Sequence, residues 1–159
     1  MPVSVRRVVT GHDINGRARV LIDETASRTI AFREGCDTAL IWTTEGFPSS
    51  NDGVSDRSQA HVATTIENGA VFRVIDYAPG VAPRRHRTLS IDFAVVMKGE
   101  IYMELEDGEE IFLKEGDVLV QQGTIHNWIN RGADVCRIAF VLLSASPVHV
   151  GDDELPAHG

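Results

Sequence analysis

Two histidines and a carboxylate, His86, Asp92 and His126, stand at spacings that suit a shared cavity wall. Successive side chains on a strand alternate faces, so His86 and Thr88 share one face while Arg85 and Arg87 take the other. Asp92 lies four residues past Thr88, beyond an expected kink, and returns to the first face. His126, Trp128 and Asn130 form a second same-face set. Two imidazoles and one carboxylate, brought together inside a small barrel, are a donor set for Fe(II), Mn or Zn. With open positions the set is the pattern of non-haem iron oxygenases. Open positions let water or substrate reach the metal, which polarises an oxygen or carries O2.

The elements that must position these residues read as short strands. Gly80-Val-Ala-Pro-Arg-Arg-His86 leads to Asp92 and closes at Gly99-Glu100. Gly116-Asp117 runs through mostly apolar residues to Gln122-Gly123, and then to His126 and Asn130. Residues 71–77, 93–97, 101–105, 111–113, 118–121, 125–129 and 137–143 carry strand signals. In the third of these, Ile101, Met103 and Leu105 alternate with Tyr102 and Glu104, giving one buried and one wet face. Turns every eight to twelve residues, such as Glu106-Asp107-Gly108, argue for an antiparallel sandwich or barrel.

Upstream, residues 6–10 and 17–22 flank Asn15-Gly16, the strongest short hairpin signal. Residues 29–32 and 38–44 alternate weakly and read as arms. Small polar residues, Pro and Gly over 46–60 predict a flexible surface loop, a kind of segment that often serves as a lid. His61 at its end is expected to be an exposed loop histidine. The expected organisation is an N-terminal strand arm and loop over 1–68, a barrel over 69–145 and a loosely ordered tail over 146–159, all in one domain.

The chain has 159 residues, enough for a single sizeable core. A net charge of −8 opposes binding to phosphate backbones and anionic lipid, so nucleic acid and membranes are not expected partners. No apolar run reaches the roughly 20 residues needed to span a bilayer, and the N-terminus lacks the order of a secretory signal. A cytoplasmic protein is expected. Cys36 and Cys136 read as small buried hydrophobes in place of a disulfide or a nucleophile. The glycine fingerprint of a dinucleotide site, the phosphate-cradling loop and the Gly-x-Ser-x-Gly elbow are all missing.

The two glycine-framed segments resemble the paired motifs of the cupin family. Gly80, His86, Asp92 and Gly99 fall on the spacing of the first motif, with Thr88 in the place of its second histidine and Asp92 in the place of its glutamate. Gly116, Gly123, His126 and Asn130 match the second, which is one residue shorter here and has Gln121-Gln122 where the family has Pro-x. The resemblance implies an all-β double-stranded β-helix, or jelly roll. It also implies a divalent metal (Fe(II), Mn, Zn or Ni) held by His86, Asp92 and His126, and a homodimer. Asp92 is one methylene shorter than Glu, and Thr88 is a poor ligand that suits a metal-bound water.

Three functions follow. The first is a small cupin enzyme acting at that metal on an organic substrate, aromatic or carboxylate, by dioxygenase, decarboxylase or isomerase/lyase chemistry. The second is a metal-free module that binds or senses a small ligand. The third is a metal-independent enzyme using His86 or His126 as acid–base group with Asp92 orienting it. Around the three central residues, Thr88, Arg84 and Trp128 are candidate substrate contacts. Arg84 suits either a bidentate contact to a carboxylate or a solvated place beside the turn. Trp128 suits either a pocket wall or the core. Arg85 and Arg87 are expected at the surface or a subunit contact. Asn130 is expected to satisfy backbone groups where the chain turns, and Met103 and Phe140 to pack the core.

Overall fold

The computed structural model describes residues 3–26, 29–53 and 55–159. Its regular structure is almost all strand. In chain order these are β1 (Arg6–His12), β2 (Ala18–Thr25), β3 (Thr29–Arg33), β4 (Cys36–Glu45), β5 (Gly69–Tyr77), β6 (Ser90–Lys98) and β7 (Glu100–Leu105). There follow β8 (Glu110–Lys114), β9 (Val118–Gln122), β10 (His126–Ile129), β11 (Cys136–Ser144), β12 (Val148–Val150) and β13 (Asp153–Leu155). A single 3-10 turn, Arg57–Gln59, interrupts the connection from β4 to β5. Among the described residues no helix is long and apolar enough to cross a membrane.

Six strands form one sheet in the order β3-β4-β5-β11-β6-β9, and three form a second in the order β10-β7-β8. Every pairing is antiparallel. The inward residues of both sheets meet in one core, which takes Val71, Ile101, Trp128, Ile138, Phe140 and Leu142 from four different strands. This is the antiparallel barrel expected from the spacing of strands and turns, and the all-β jelly roll that the resemblance implies. Glycine matters most at the corner between β6 and β7. Gly99 has φ +79°, and a Cβ there would lie 2.9 Å from the Val135 carbonyl oxygen and 3.2 Å from Cys136 Cα. Asn130 meets its expected role: buried, it donates from Nδ2 to the Tyr77 and Asp134 carbonyls and accepts from Gly132 N–H.

Two expectations for the flanks change. β4 is no arm. It lies inside the larger sheet and pairs with β5 from Cys36↔Tyr77 to Glu45↔Gly69, with a register shift between Leu40 and Trp42. Its alternation is weak because it is covered on both faces. Cys36 and Leu40 enter the barrel core, while Ala39 and Ile41 join a second cluster with Val3, Ala26 and Val74 on the outer side. The hairpin β1–β2, turned at Asn15-Gly16 with φ +74° at the glycine, is the separate arm. Arg7 ties it down, as described below.

The tail is ordered. β12 and β13 form a short hairpin, and His158 pairs with Arg87 by reciprocal backbone hydrogen bonds of 2.8 and 3.0 Å. Three-residue strands between Gly, Asp and Pro carry no periodic signal, and a distant partner supplies the order. Cys36 and Cys136 are buried free thiols, as expected. Burial pushes the Cys136 thiol up to about 12.

Candidate functional site

The six residues singled out from the sequence, Arg84, His86, Thr88, Asp92, His126 and Trp128, line one cavity of about 60 Å³ between the sheets. A cavity of this measure has room for about four waters. His126 opens β10, and the segment before β6 runs beside it. The two histidines are direct backbone partners, each N–H donating to the other's carbonyl at 3.1 Å. Their ring centroids are therefore only 4.2 Å apart.

Both rings are buried, and both Nδ1 atoms face backbone carbonyls: His86 Nδ1 lies 3.1 Å from Arg84 O, and His126 Nδ1 lies 3.0 Å from Thr124 O. A carbonyl only accepts, so an Nδ1 facing one carries the proton and its Nε2 keeps a lone pair; for His126 this sets the Gln121 amide with its oxygen toward Nδ1. Neither Nε2 has a hydrogen-bond partner among the described residues. Burial holds His86 near 4. It holds His126 near 3, with the neighbouring His86 adding to the effect. Both imidazoles are neutral at physiological pH.

Asp92 takes the inner face of β6 with Ser90, and both are buried. Ser90 Oγ donates to Asp92 Oδ1 at 2.6 Å, and the Thr88 and Ser90 hydroxyls lie 2.8 Å apart. Thr88 is thus the outer end of a hydroxyl chain that reaches the carboxyl group. Burial pushes the Asp92 carboxyl up, against the Ser90 hydrogen bond and the charge of Arg73, which pull it down. Trp128 serves in both expected ways. It is 2% exposed and packs on Tyr77 and Phe140, and it also faces the cavity at 5.9 Å from the His126 ring. Arg84 is half-buried, with its Nη2 donating to Gly159 O at 3.0 Å. Arg85 lies outside, joined to Glu104 and the Glu106 carbonyl.

The residues of the loop over 46–60 do not line this cavity. The loop packs instead against β4 and the hairpin β1–β2, around a separate groove, so it is not a lid on the histidines. His61 is exposed.

Two residues at the site escape the motif reading. Arg73, on the inner face of β5, lines the cavity and is 4% exposed. The signal is there in retrospect: Val71, Arg73, Ile75 and Tyr77 share one face, and one of the four is charged. Gln121, buried on β9, sits where the family pattern has a proline two residues before the glycine, and brings its amide against His126 Nδ1. With its nitrogen toward the ring, Oε1 is buried without a partner. With its oxygen there, Nδ1–H gains a second acceptor.

A divalent ion needs several converging lone pairs. Two bare Nε2 atoms suit such an ion as far as they go. Among the described residues, however, no group of three His, Cys, Asp or Glu side chains comes together to hold a metal. The third expected ligand, Asp92, is engaged by Ser90. As they stand, the three side chains are not gathered into one metal centre.

The cupin domain model matches residues 73–142. Oryzines biosynthesis cluster protein J of Aspergillus oryzae is 40% identical over 128 residues, which cover 76% of this chain and 72% of that protein. The cupin-domain-containing oxidoreductase fogC of Aspergillus ruber is 33% identical over 162 residues, 97% of this chain and 79% of that one. Among solved structures, the polyketide cyclase RemF of Streptomyces resistomycificus matches with a TM-score of 0.51 at 12% identity. That match covers 82% of this chain and 77% of the other, and it speaks to the fold alone. The glycine-framed motifs, the facing sheets they build and this likeness along most of both chains lead to one conclusion: the protein belongs to the cupin family.

Proposed function

We propose that this cupin is an enzyme that moves a proton on a small organic substrate held in the barrel. In this reading His86 and His126 are the accepting pair and Asp92 is the acid in the same cavity. The observation that carries it is the pair of bare Nε2 atoms, created by two Nδ1–H···O=C bonds in a cavity whose wall includes Trp128, Phe140 and Leu142. Burial raises the carboxyl group and lowers both imidazoles, shifts that favour the neutral form of each. A substrate O–H or acidic C–H placed at Nε2 gives up its proton there. The negative charge that develops beside the ring raises the imidazole's proton affinity at that moment. Asp92 returns a proton, and the Ser90–Thr88 hydroxyls connect it to the cavity rim. Isomerase- or lyase-type chemistry asks no more of these groups.

The test is hydrogen–deuterium exchange into a panel of small 2-oxo and 3-oxo acids, followed by proton NMR in D2O on chelator-treated protein. His86→Gln and His126→Gln are each expected to slow exchange by roughly 10²-fold or more. Equal exchange in wild type and both variants refutes the reading. A second reading, metal-dependent oxidation, is favoured by relatives that are cupin-domain-containing oxidoreductases and by the two free Nε2 donors. Oxygen uptake that chelator abolishes and Fe(II) restores selects it; exchange that survives chelator selects the first.

A further inference from the structure

Arg73 is a cation in the wrong place for a structural residue. Its neighbours on the inner face of β5 are Val71, Ile75 and Tyr77, and it is 4% exposed. An isolated buried charge costs several kcal/mol unless it is paired and hydrogen-bonded. Buried arginines elsewhere in this chain are paired: Arg7 meets Asp56 and Glu24 through its guanidinium. Arg73 has no carboxylate within ion-pair distance among the described residues.

Its hydrogen bonds are also incomplete. Nη2 donates to the Ala63 and Thr64 carbonyls at 3.0 and 2.8 Å, which fixes the plane of the group. Nε–H is buried with no acceptor, and Nη1 has none among the described residues. The guanidinium carbon lies 5.5 Å from the centre of the Phe32 ring, which covers it from one side. The remaining direction is the cavity that Arg73 shares with His86, Asp92 and His126.

We propose that Arg73 is the anchor for a carboxylate, so that the substrate of this site is a small organic acid whose anionic end sits against Nη1 of the guanidinium. Both forks of a guanidinium include Nη2, whose two hydrogens go to Ala63 and Thr64, so the carboxylate meets Nη1 through a charge-assisted hydrogen bond. The cavity's room for about four waters matches a head group the size of acetate, with the rest of a larger acid extending toward the rim. Arg73 thereby fixes which end of the substrate lies beside the two imidazoles. The proposal names the substrate class for the proton-transfer reading above and rests on it for the reaction, though not for the binding.

The test is titration of the full chain, after chelator treatment, with acetate and with its neutral isostere acetamide at constant ionic strength. Binding is followed by 15N–1H NMR of the arginine Nε–H signals. Acetate is expected to move one slowly exchanging Nε–H signal and to bind at least ten-fold more tightly than acetamide. Arg73→Gln removes the charge, and its amide, at about the position of Nε, does not reach the Ala63 and Thr64 carbonyls. It is expected to lose that Nε–H signal and the ten-fold preference. Equal binding of acetate and acetamide by wild type overturns the proposal, and so does a folded Arg73→Gln that binds acetate within two-fold of wild type. If Arg73→Gln does not fold, the wild-type titration decides alone: a moving Nε–H signal with ten-fold selectivity supports the anchor, and its absence overturns it. The readout needs no turnover, so a failed exchange assay leaves the anchor standing, and a failed titration leaves the proton-transfer reading standing.

Discussion

Replacing Arg7 by Met should release the N-terminal hairpin from the barrel. The Arg7 side chain is 2% exposed and forks onto Asp56, Nη1 to Oδ1 at 2.6 Å and Nη2 to Oδ2 at 2.8 Å. Nη2 also reaches Glu24 at 2.5 Å, and Nη1 reaches the Ile41 carbonyl at 3.3 Å. One guanidinium therefore joins β1, β2, β4 and the loop before the 3-10 turn. Breaking a fully buried pair from one side costs about 3–5 kcal/mol. Asp56 keeps 28% of its side chain in water and Glu24 keeps 50%, so both rehydrate in part and the low end applies. Met fills most of the space of the arginine stem, which keeps any cavity contribution small. The expected loss is about 3 kcal/mol. For a domain of this length that lowers Tm by roughly 6–12 °C, measured by circular dichroism at pH 7.

The same pair predicts a pH signature. The Arg7 hydrogen bonds hold the Asp56 carboxyl well below the usual carboxylate range, helped by Ser58 N–H and opposed by partial burial. A carboxyl whose folded value is depressed contributes its full stability above its unfolded value near 4. That contribution drains away as pH falls toward the folded value. Wild type should therefore lose stability between about pH 4 and pH 2 more steeply than Arg7→Met. A Tm within about 2 °C of wild type refutes the argument. So would identical acid slopes for the two proteins.

Two further predictions concern the barrel. Gly99→Ala puts a side chain at φ +79° and drives its Cβ into backbone at 2.9 Å, where no flexible side chain can move aside. A loss of at least about 1–2 kcal/mol in urea denaturation is expected, and a loss under about 0.5 kcal/mol contradicts the corner described. In chelator-treated protein the ring signals of His86 and His126 should stay in the neutral form down to about pH 5, since burial holds the two groups near 4 and 3. Each unfolded histidine takes up a proton below about pH 6.5. Folding stability should therefore fall as pH drops from there toward the folded values. An NMR midpoint above pH 6 for both rings refutes their burial as neutral groups.

The barrel was legible in the sequence because its strands are wetted on one face and dry on the other. Ile101, Met103 and Leu105 show that alternation, and glycines punctuate it at positions such as Gly99, which has positive φ. His126 was legible because a period of two fixes its face on β10, and His86, which lies before β6, because the glycine-framed motif places it. β4 was not, since burial on both faces erases alternation. The order of the tail was not, because it comes from pairing of His158 with Arg87, far away in the chain.

What the sequence alone determined is therefore local: the strand periodicity, the turns, and the pair of motifs that carry two histidines and a carboxylate to one cavity. What only the tertiary structure decided is which polar groups are already spent. Ser90 takes up Asp92, and two backbone carbonyls take the Nδ1 protons and leave Nε2 bare. Arg73 is left with Nη1 unpaired beside the same space. Hydrogen-bond satisfaction depends on partners contributed by other strands, and no periodicity within one strand encodes it.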